Sequence, residues 1–142
     1  MDVPTVDTVG SLCLDAVMPI SKFLVVSVPV SDPERAKDFY LNVLGMELLQ
    51  DMAMSDTMRW IQVRPNGSEA SITLVTWFPS MPAGSLKGLV LETLDMEATI
   101  AEIAARGFVI DSDIDEQPWG RFVTFDDPDG NGIVLQETSV GA

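Results

Sequence analysis

KFLVVSVPVSDPERAKDFYLNVLG, residues 22–45, and KGLVLETLDMEATIAEIAARG, residues 87–107, decide the fold when they are set side by side. Each opens on an apolar, β-branched run that reads as a strand, at 22–30 and 87–94. Each then has an aspartate, Asp32 or Asp95, placed to cap a helix. Pro33 and Glu34 add a first-turn proline and an acid after the first cap. Ala36, Phe39, Tyr40, Val43 and Leu44 fall on one face of the first helix, and Met96, Ile100, Ile103 and Ala104 on one face of the second. Gly45 and Gly107 stop the two helices, one residue apart in register.

Outward from these stretches the pattern continues in parallel. Strands are expected at about 46–53, 58–64 and 70–77, with Pro65-Asn66-Gly67 turning between the last two. Pro79, Pro82 and Gly84 mark a linker. Further strands are expected at about 108–112, 120–126 and 132–137, with a tight turn in Asp126-Asp127-Pro128-Asp129-Gly130-Asn131-Gly132. Each half therefore reads β-α-β-β-β, and a self-match of this kind signals duplication. The expected fold class is α+β: two tandem βαβββ modules, residues 20–78 and 86–138, forming a curved mixed sheet with outer helices and a concave pocket. They make one domain over 18–140, preceded by an N-terminal arm at 1–17.

Composition narrows the function classes. The 142 residues are 46% apolar, enough for a core, and no apolar run approaches a membrane span. Twenty-two acids against eight bases leave a net charge of −14, which repels nucleic acid and anionic lipid and favours a cationic ligand. The chain has no histidine, so Ser-His and Cys-His nucleophile systems are excluded. One cysteine, Cys13, cannot form an internal disulfide. Residues 1–17 carry three acids and no base, unlike a secretory or transit signal, and the expected location is cytoplasmic. A Gly-rich phosphate loop, a Cys-x-x-Cys pair and a Gly-x-Ser-x-Gly elbow are all missing.

VPVSDPERAKDFYLNVLGMELL, residues 28–49, and FDDPDGNGIVLQE, residues 125–137, resemble the vicinal oxygen chelate superfamily of glyoxalase I, bleomycin- and fosfomycin-resistance proteins and extradiol dioxygenases. The resemblance covers about residues 20–138, and LVTWFPSMPAGSLKGLVLET, residues 74–93, resembles a glyoxalase-like bacterial subgroup that includes antibiotic-binding self-resistance proteins, some for enediynes. It implies a homodimer with pockets at or near the interface. It also implies four metal-ligand positions, which fall on Val25, Thr73, Gly88 and Val134. None is a good ligand for a divalent cation, so the expectation is no metal and no cofactor.

If Val25 and Val134 face the pocket, strand alternation turns Ser27, Pro29, Val90, Glu92, Gln136, Val75 and Trp77 the same way. Ile61, Val63, Val123 and Phe125 then face the core, leaving Trp60, Gln62, Phe122 and Thr124 toward the pocket. Trp119, in a loop, is a further candidate, and Met46, Met52 and Met54 suit an adaptable wall. The expected ligand contacts are thus Trp60, Gln62, Thr73, Val75, Trp77, Glu92, Trp119, Phe122, Thr124 and Gln136. Such a surface suits a flat apolar molecule. Each aromatic could equally serve the core or an interface, and Glu92 could pair with Arg59, Arg64 or Arg121. Three readings stay open: sequestration of an aromatic or cationic antibiotic, a metal-independent lyase or isomerase with Glu92 as base, and a non-catalytic protein-binding module.

Overall fold

The structure, a computed structural model, describes residues 18–138; the expected arm at 1–17 lies outside the described residues. The first module runs β1 (Val25–Pro29), α1 (Pro33–Asp38), β2 (Glu47–Ala53), β3 (Arg59–Arg64) and β4 (Ser71–Val75). The second runs β5 (Leu89–Glu92), α2 (Met96–Ala105), β6 (Asp115–Gln117), β7 (Gly120–Asp126) and β8 (Gly132–Thr138). Each makes a four-stranded mixed sheet, in the orders β1-β4-β3-β2 and β5-β8-β7-β6. The first and last strands of each module pair in parallel, Ser27 beside Thr73 and Val90 beside Val134, so the duplication extends to strand register.

Both helices begin as the sequence dictates. The Asp32 carboxylate accepts from the backbone N–H groups of Glu34 and Arg35, and the Asp95 carboxylate from that of Ala98. Beyond Asp38 the first helix widens into a π-helical turn over Phe39–Val43, which buries both Phe39 and Tyr40. Gly45 follows at φ +72°, a conformation open to glycine at little cost. In α2, Met96 and Ile103 are buried, whereas Ala104, expected on the same face, is exposed.

A matching ion-pair clamp ties each helix to its sheet. Arg59 of β3 reaches Glu34 at 2.5 Å and Asp51 of β2 at 2.7 Å. Arg121 of β7 reaches Glu97 at 2.6 Å and Glu137 of β8 at 2.8 Å. Glu34 and Glu97 each stand two residues past the capping aspartate, so the clamp is part of the repeat. Hydrogen bonds from Arg59 and Lys37 hold the Asp51 carboxyl well below its ordinary range, and those from Arg121 hold Glu97 down to about 2.

The helix-side faces of both sheets share one apolar interior. Val28, Ile61, Val63, Leu74 and, from the second module, Ile133 are fully buried together, with Leu89, Leu91, Phe108 and Phe125 packed against them. Val43 and Leu44 in turn pack onto the second module's core around Met96, Ile103 and Val123. Phe108 stands edge-on to Phe39, with ring centroids 5.4 Å apart.

Residues 108–112 do not form the expected strand. Ile110 is buried, Phe108 half-buried and Val109 exposed, as alternation requires, but the segment makes no ladder. The free edge of β7 pairs instead with Asp115–Gln117, and beside the far end of β7 the Ser112 hydroxyl donates to the Thr124 carbonyl where a backbone rung would stand.

The turn after β7 joins the modules. Asp127, 4% exposed, accepts from the Tyr40 hydroxyl at 2.8 Å, from the side-chain amide of Asn131 at 2.8 Å, and from the N–H groups of Asp129 and Asn131. Asn131 also donates to the Pro29 carbonyl and accepts from the N–H of Leu86 in the linker. Burial, then the charge and hydrogen bond of Asp127, raise the Tyr40 phenol well above its ordinary value of 10. The phenol's contribution to stability is therefore intact below pH 10 and lost as the pH rises toward its folded value. Tyr40 is the single tyrosine, so phenolate absorbance reports it alone. The expected alkaline titration stays flat through pH 10 and rises only as the protein unfolds; a phenolate signal near pH 10 in folded protein would show the bond to Asp127 to be weak.

Candidate ligand-binding site

Because the sheets share their helix sides, their other faces point away from that interior, and no ladder joins the two sheets among the described residues. The expected contacts divide between these two outer faces.

On the first sheet, Trp60 and Gln62 of β3 alternate with buried Ile61 and Val63, so they occupy the outer face. Gln62 lies beside Thr73, and the same antiparallel register brings Trp60 next to Val75. Met52 of β2 stands across from Trp60, a polarisable neighbour for the ring, whereas Met46, expected in the same wall, is buried in the core. The Trp60 indole donates to the Gln62 carbonyl oxygen at 3.1 Å, the Gln62 amide donates to the Ser71 hydroxyl at 2.8 Å, and Ser71 donates to the Leu24 carbonyl at 2.9 Å. Thr73 and Val75 are buried beneath this layer. Trp77 lies past the end of β4, where alternation no longer fixes its direction, and its ring tilts against Phe78.

On the second sheet, Trp119 stacks on Phe122 with centroids 5.6 Å apart and planes 4° from parallel, and half of Trp119 stays exposed. Thr124 and Gln136 lie on the same face, in register with Val134 and Phe122 respectively. Glu92 ends β5, exposed. It pairs with none of the three arginines considered for it: Arg59 and Arg121 are clamped as described, and Arg64 holds Glu47 at 2.5 Å.

Ser71 is the site residue missing from the sequence-based set. It stands two before Thr73 on β4, so the alternation that selected Thr73 and Val75 also points to it. Gln50, opposite Gln62, was hidden by a bulge between Leu48 and Gln50 that shifts the face.

Two of the cavities bear on these faces. One, of about 510 Å³, lies at the end of the second sheet against Glu92, Leu94, Gln117, Arg121 and Glu137. Arg121 and Glu137 are already spent on the clamp, while the third charged residue of its lining, Glu92, takes no part in it. The other, of about 330 Å³, lies between the modules against Val26, Met46, Ile72, Leu89 and Glu92. Trp60 and Trp119 line neither.

The four superfamily ligand positions do not fit a divalent cation. The side chains of Val25, Gly88 and Val134 offer no ligand atom, and the Thr73 hydroxyl lies 3.4 Å from that of Ser27. Asp95, Glu97 and Glu137 bring carboxylate oxygens within 4.8 Å of one another. They are already engaged, however: Asp95 as a cap, Glu137 on the N–H of Met96, and both glutamates on Arg121.

Two mirrored βαβββ modules with an outer aromatic face on each sheet define a glyoxalase-type fold. The family model described as glyoxalase/bleomycin resistance protein/dioxygenase superfamily matches residues 22–135, and the chain belongs to that superfamily. It is similar to the solved structure of TnmS3, an antibiotic binding protein from Streptomyces sp. CB03234, at 48% identity and a TM-score of 0.79, over 87% of this chain and all of that one. A superfamily member from Sphaerobacter thermophilus DSM 20745 matches at 31% identity and a TM-score of 0.76, over 84% of this chain and 99% of that one. The uncharacterized protein YetH of Bacillus subtilis (strain 168) is 31% identical over 121 residues, which are 83% of this chain and 99% of YetH. Among the described residues, no helix is long and apolar enough to cross a membrane.

Proposed function

We propose that this protein sequesters a small, flat aromatic molecule, with positive charge favoured, as a metal-independent, cytoplasmic antibiotic-binding homodimer. The observation that carries the reading is the Trp119–Phe122 stack, a flat aromatic platform held half open to solvent where burial would be more stable. The similarity to TnmS3 over its whole length supports an antibiotic as the ligand, and the net charge of −14 supports a cationic one.

A second copy completes the pocket. The two aromatic faces of one chain look away from each other, so neither encloses a ligand alone. Both β1 and β5 are edge strands, flanked by exposed apolar side chains that include Phe23 at 85% and Leu94 at 92%. Pairing these edges between copies would bring the Trp60 face of one chain beside the Trp119 face of the other and cover those side chains. Sedimentation is expected to give twice the chain mass; a monomer at micromolar concentration would remove this part of the proposal.

The direct test is thermal unfolding against a panel of aromatic antibiotics, with EDTA and divalent metals as controls. A ligand that binds only the folded state raises the melting temperature by mass action. The expected result is a rise with a flat aromatic antibiotic that is recovered unchanged, and none with metals. A rise with a metal, lost in EDTA, would overturn metal independence. Conversion of the antibiotic, abolished by Glu92→Gln, would replace sequestration with catalysis. Trp119→Ala is expected to weaken the antibiotic by roughly 10-fold to 100-fold, the loss of one stacking anchor; unchanged affinity by isothermal titration would take the platform out of the site.

A further inference from the structure

We propose that Ser71 is a positioning residue for the aromatic face of the first sheet: acting through Gln62, it fixes the ring plane of Trp60 before any ligand arrives. The proposal rests on the reading of that face as a ligand site, and gives a role to a side chain that would touch the ligand only indirectly.

The direction of every bond follows from the first. An indole N–H can only donate, so the oxygen of the Gln62 amide must face Trp60, at 3.1 Å. The amide nitrogen then faces the Ser71 hydroxyl, at 2.8 Å, and Ser71 accepts from it. The Ser71 proton is left for the Leu24 carbonyl, 2.9 Å away. That carbonyl is backbone and cannot rotate, so the chain is anchored at its far end. Flipping the Gln62 amide would set its NH2 group against the indole N–H, two donors face to face. Ser71 is 5% exposed, so water competes little for its bonds.

The arrangement also sorts what Trp60 can offer. Its one polar atom is committed to Gln62, so the ring presents a π face and no donor to a ligand. Gln62 keeps its second amide proton for an acceptor atom on the ligand. A ring already held in place loses less freedom on binding than one that must be ordered by the ligand.

The test uses the ligand-free protein. Its three tryptophans give three indole N–H signals in a nitrogen-15 spectrum, and Trp60→Phe identifies the one from Trp60. In the wild type, the Trp60 indole proton is expected to exchange with solvent about tenfold or more slowly than that of Trp119. Ser71→Ala is expected to remove that protection and shift the Trp60 signal, while Ser71→Thr, which keeps the hydroxyl, restores both. A Trp60 signal unmoved by Ser71→Ala would overturn the proposal. So would wild-type exchange as fast as that of Trp119, an outcome that needs no folded Ser71 variant. No ligand enters these measurements, so they stand or fall apart from antibiotic binding: protection without binding would refute the ligand reading alone.

Discussion

Asp127→Ala is expected to lower the free energy of unfolding by about 3–5 kcal/mol, read from the midpoint of a urea titration. The wild-type carboxylate answers four donors in a site almost closed to water, one of them the Tyr40 hydroxyl of the other module. Alanine leaves three of the four without that partner and the Asn131 amide with the Pro29 carbonyl alone, and buried orphan donors cost more than the bonds themselves contribute. Tyr40→Phe should cost only about 1–2 kcal/mol, because it removes a donor and leaves Asp127 with three others. Equal losses for the two variants would mean that the turn is held by backbone bonds alone, such as that between the Asp127 N–H and the Asn131 carbonyl.

Gly84→Ala is expected to destabilise by about 3 kcal/mol or more. Gly84 sits in the linker at φ +83°, and a Cβ there would fall 2.0 Å from the backbone carbonyl oxygen of Asp129. Backbone cannot swing aside as a side chain would, so the linker must lift from the turn and strain the bond from the Gly84 N–H to the Pro29 carbonyl. Gly67→Ala separates the two causes. It has a similar φ of +78° but open space around it, and should lose only the cost of backbone conformation, about 1–2 kcal/mol. If both variants lose the same amount by urea titration, the approach of Gly84 to Asp129 has no energetic weight.

Much of this fold is legible in local sequence. Asp32 and Asp95 sit where their side chains must cap, and β3 alternates Trp60-Ile61-Gln62-Val63 so plainly that its two faces are assigned on sight. The turn at 126–132 reads as a turn from its proline, glycines and acids, although its burial and its reach to Tyr40 do not. Residues 108–112 mislead because alternating burial is necessary for a strand but not sufficient; a neighbour with a free edge is also needed, and Asp115–Gln117, with no apolar signal at all, takes that edge. The expected strand at 70–77 overruns β4 by two residues, which leaves Trp77 outside it.

The candidate site was legible as faces and not as a place. Periodicity tells which residues share one side of a strand, and Trp60, Gln62, Thr73 and Val75 do lie side by side on one sheet. It carries no information on which side of one sheet meets which side of another. That choice was made by Phe39, Phe108, Phe125 and Ile133, which draw the helix sides together and send the two aromatic surfaces outward. The hydrogen-bond chain through Ser71 was within reach of the same alternation.

The turn at 126–132 has a historical meaning as well. Its counterpart in the first half, Pro65-Asn66-Gly67, is exposed, and its hydrogen bonds stay within that half, from the Gly67 N–H to Glu47 and from the Ser68 N–H to the Pro65 carbonyl. If both halves descend from one ancestral unit that once assembled from separate identical chains, Asn131 records how that symmetry was broken. A single amide now serves the Pro29 carbonyl on one side and the Leu86 N–H on the other, a task only one of two equal partners can perform. The halves have become lock and key to each other, free to drift apart in surface while staying bound at the hinge of their common origin.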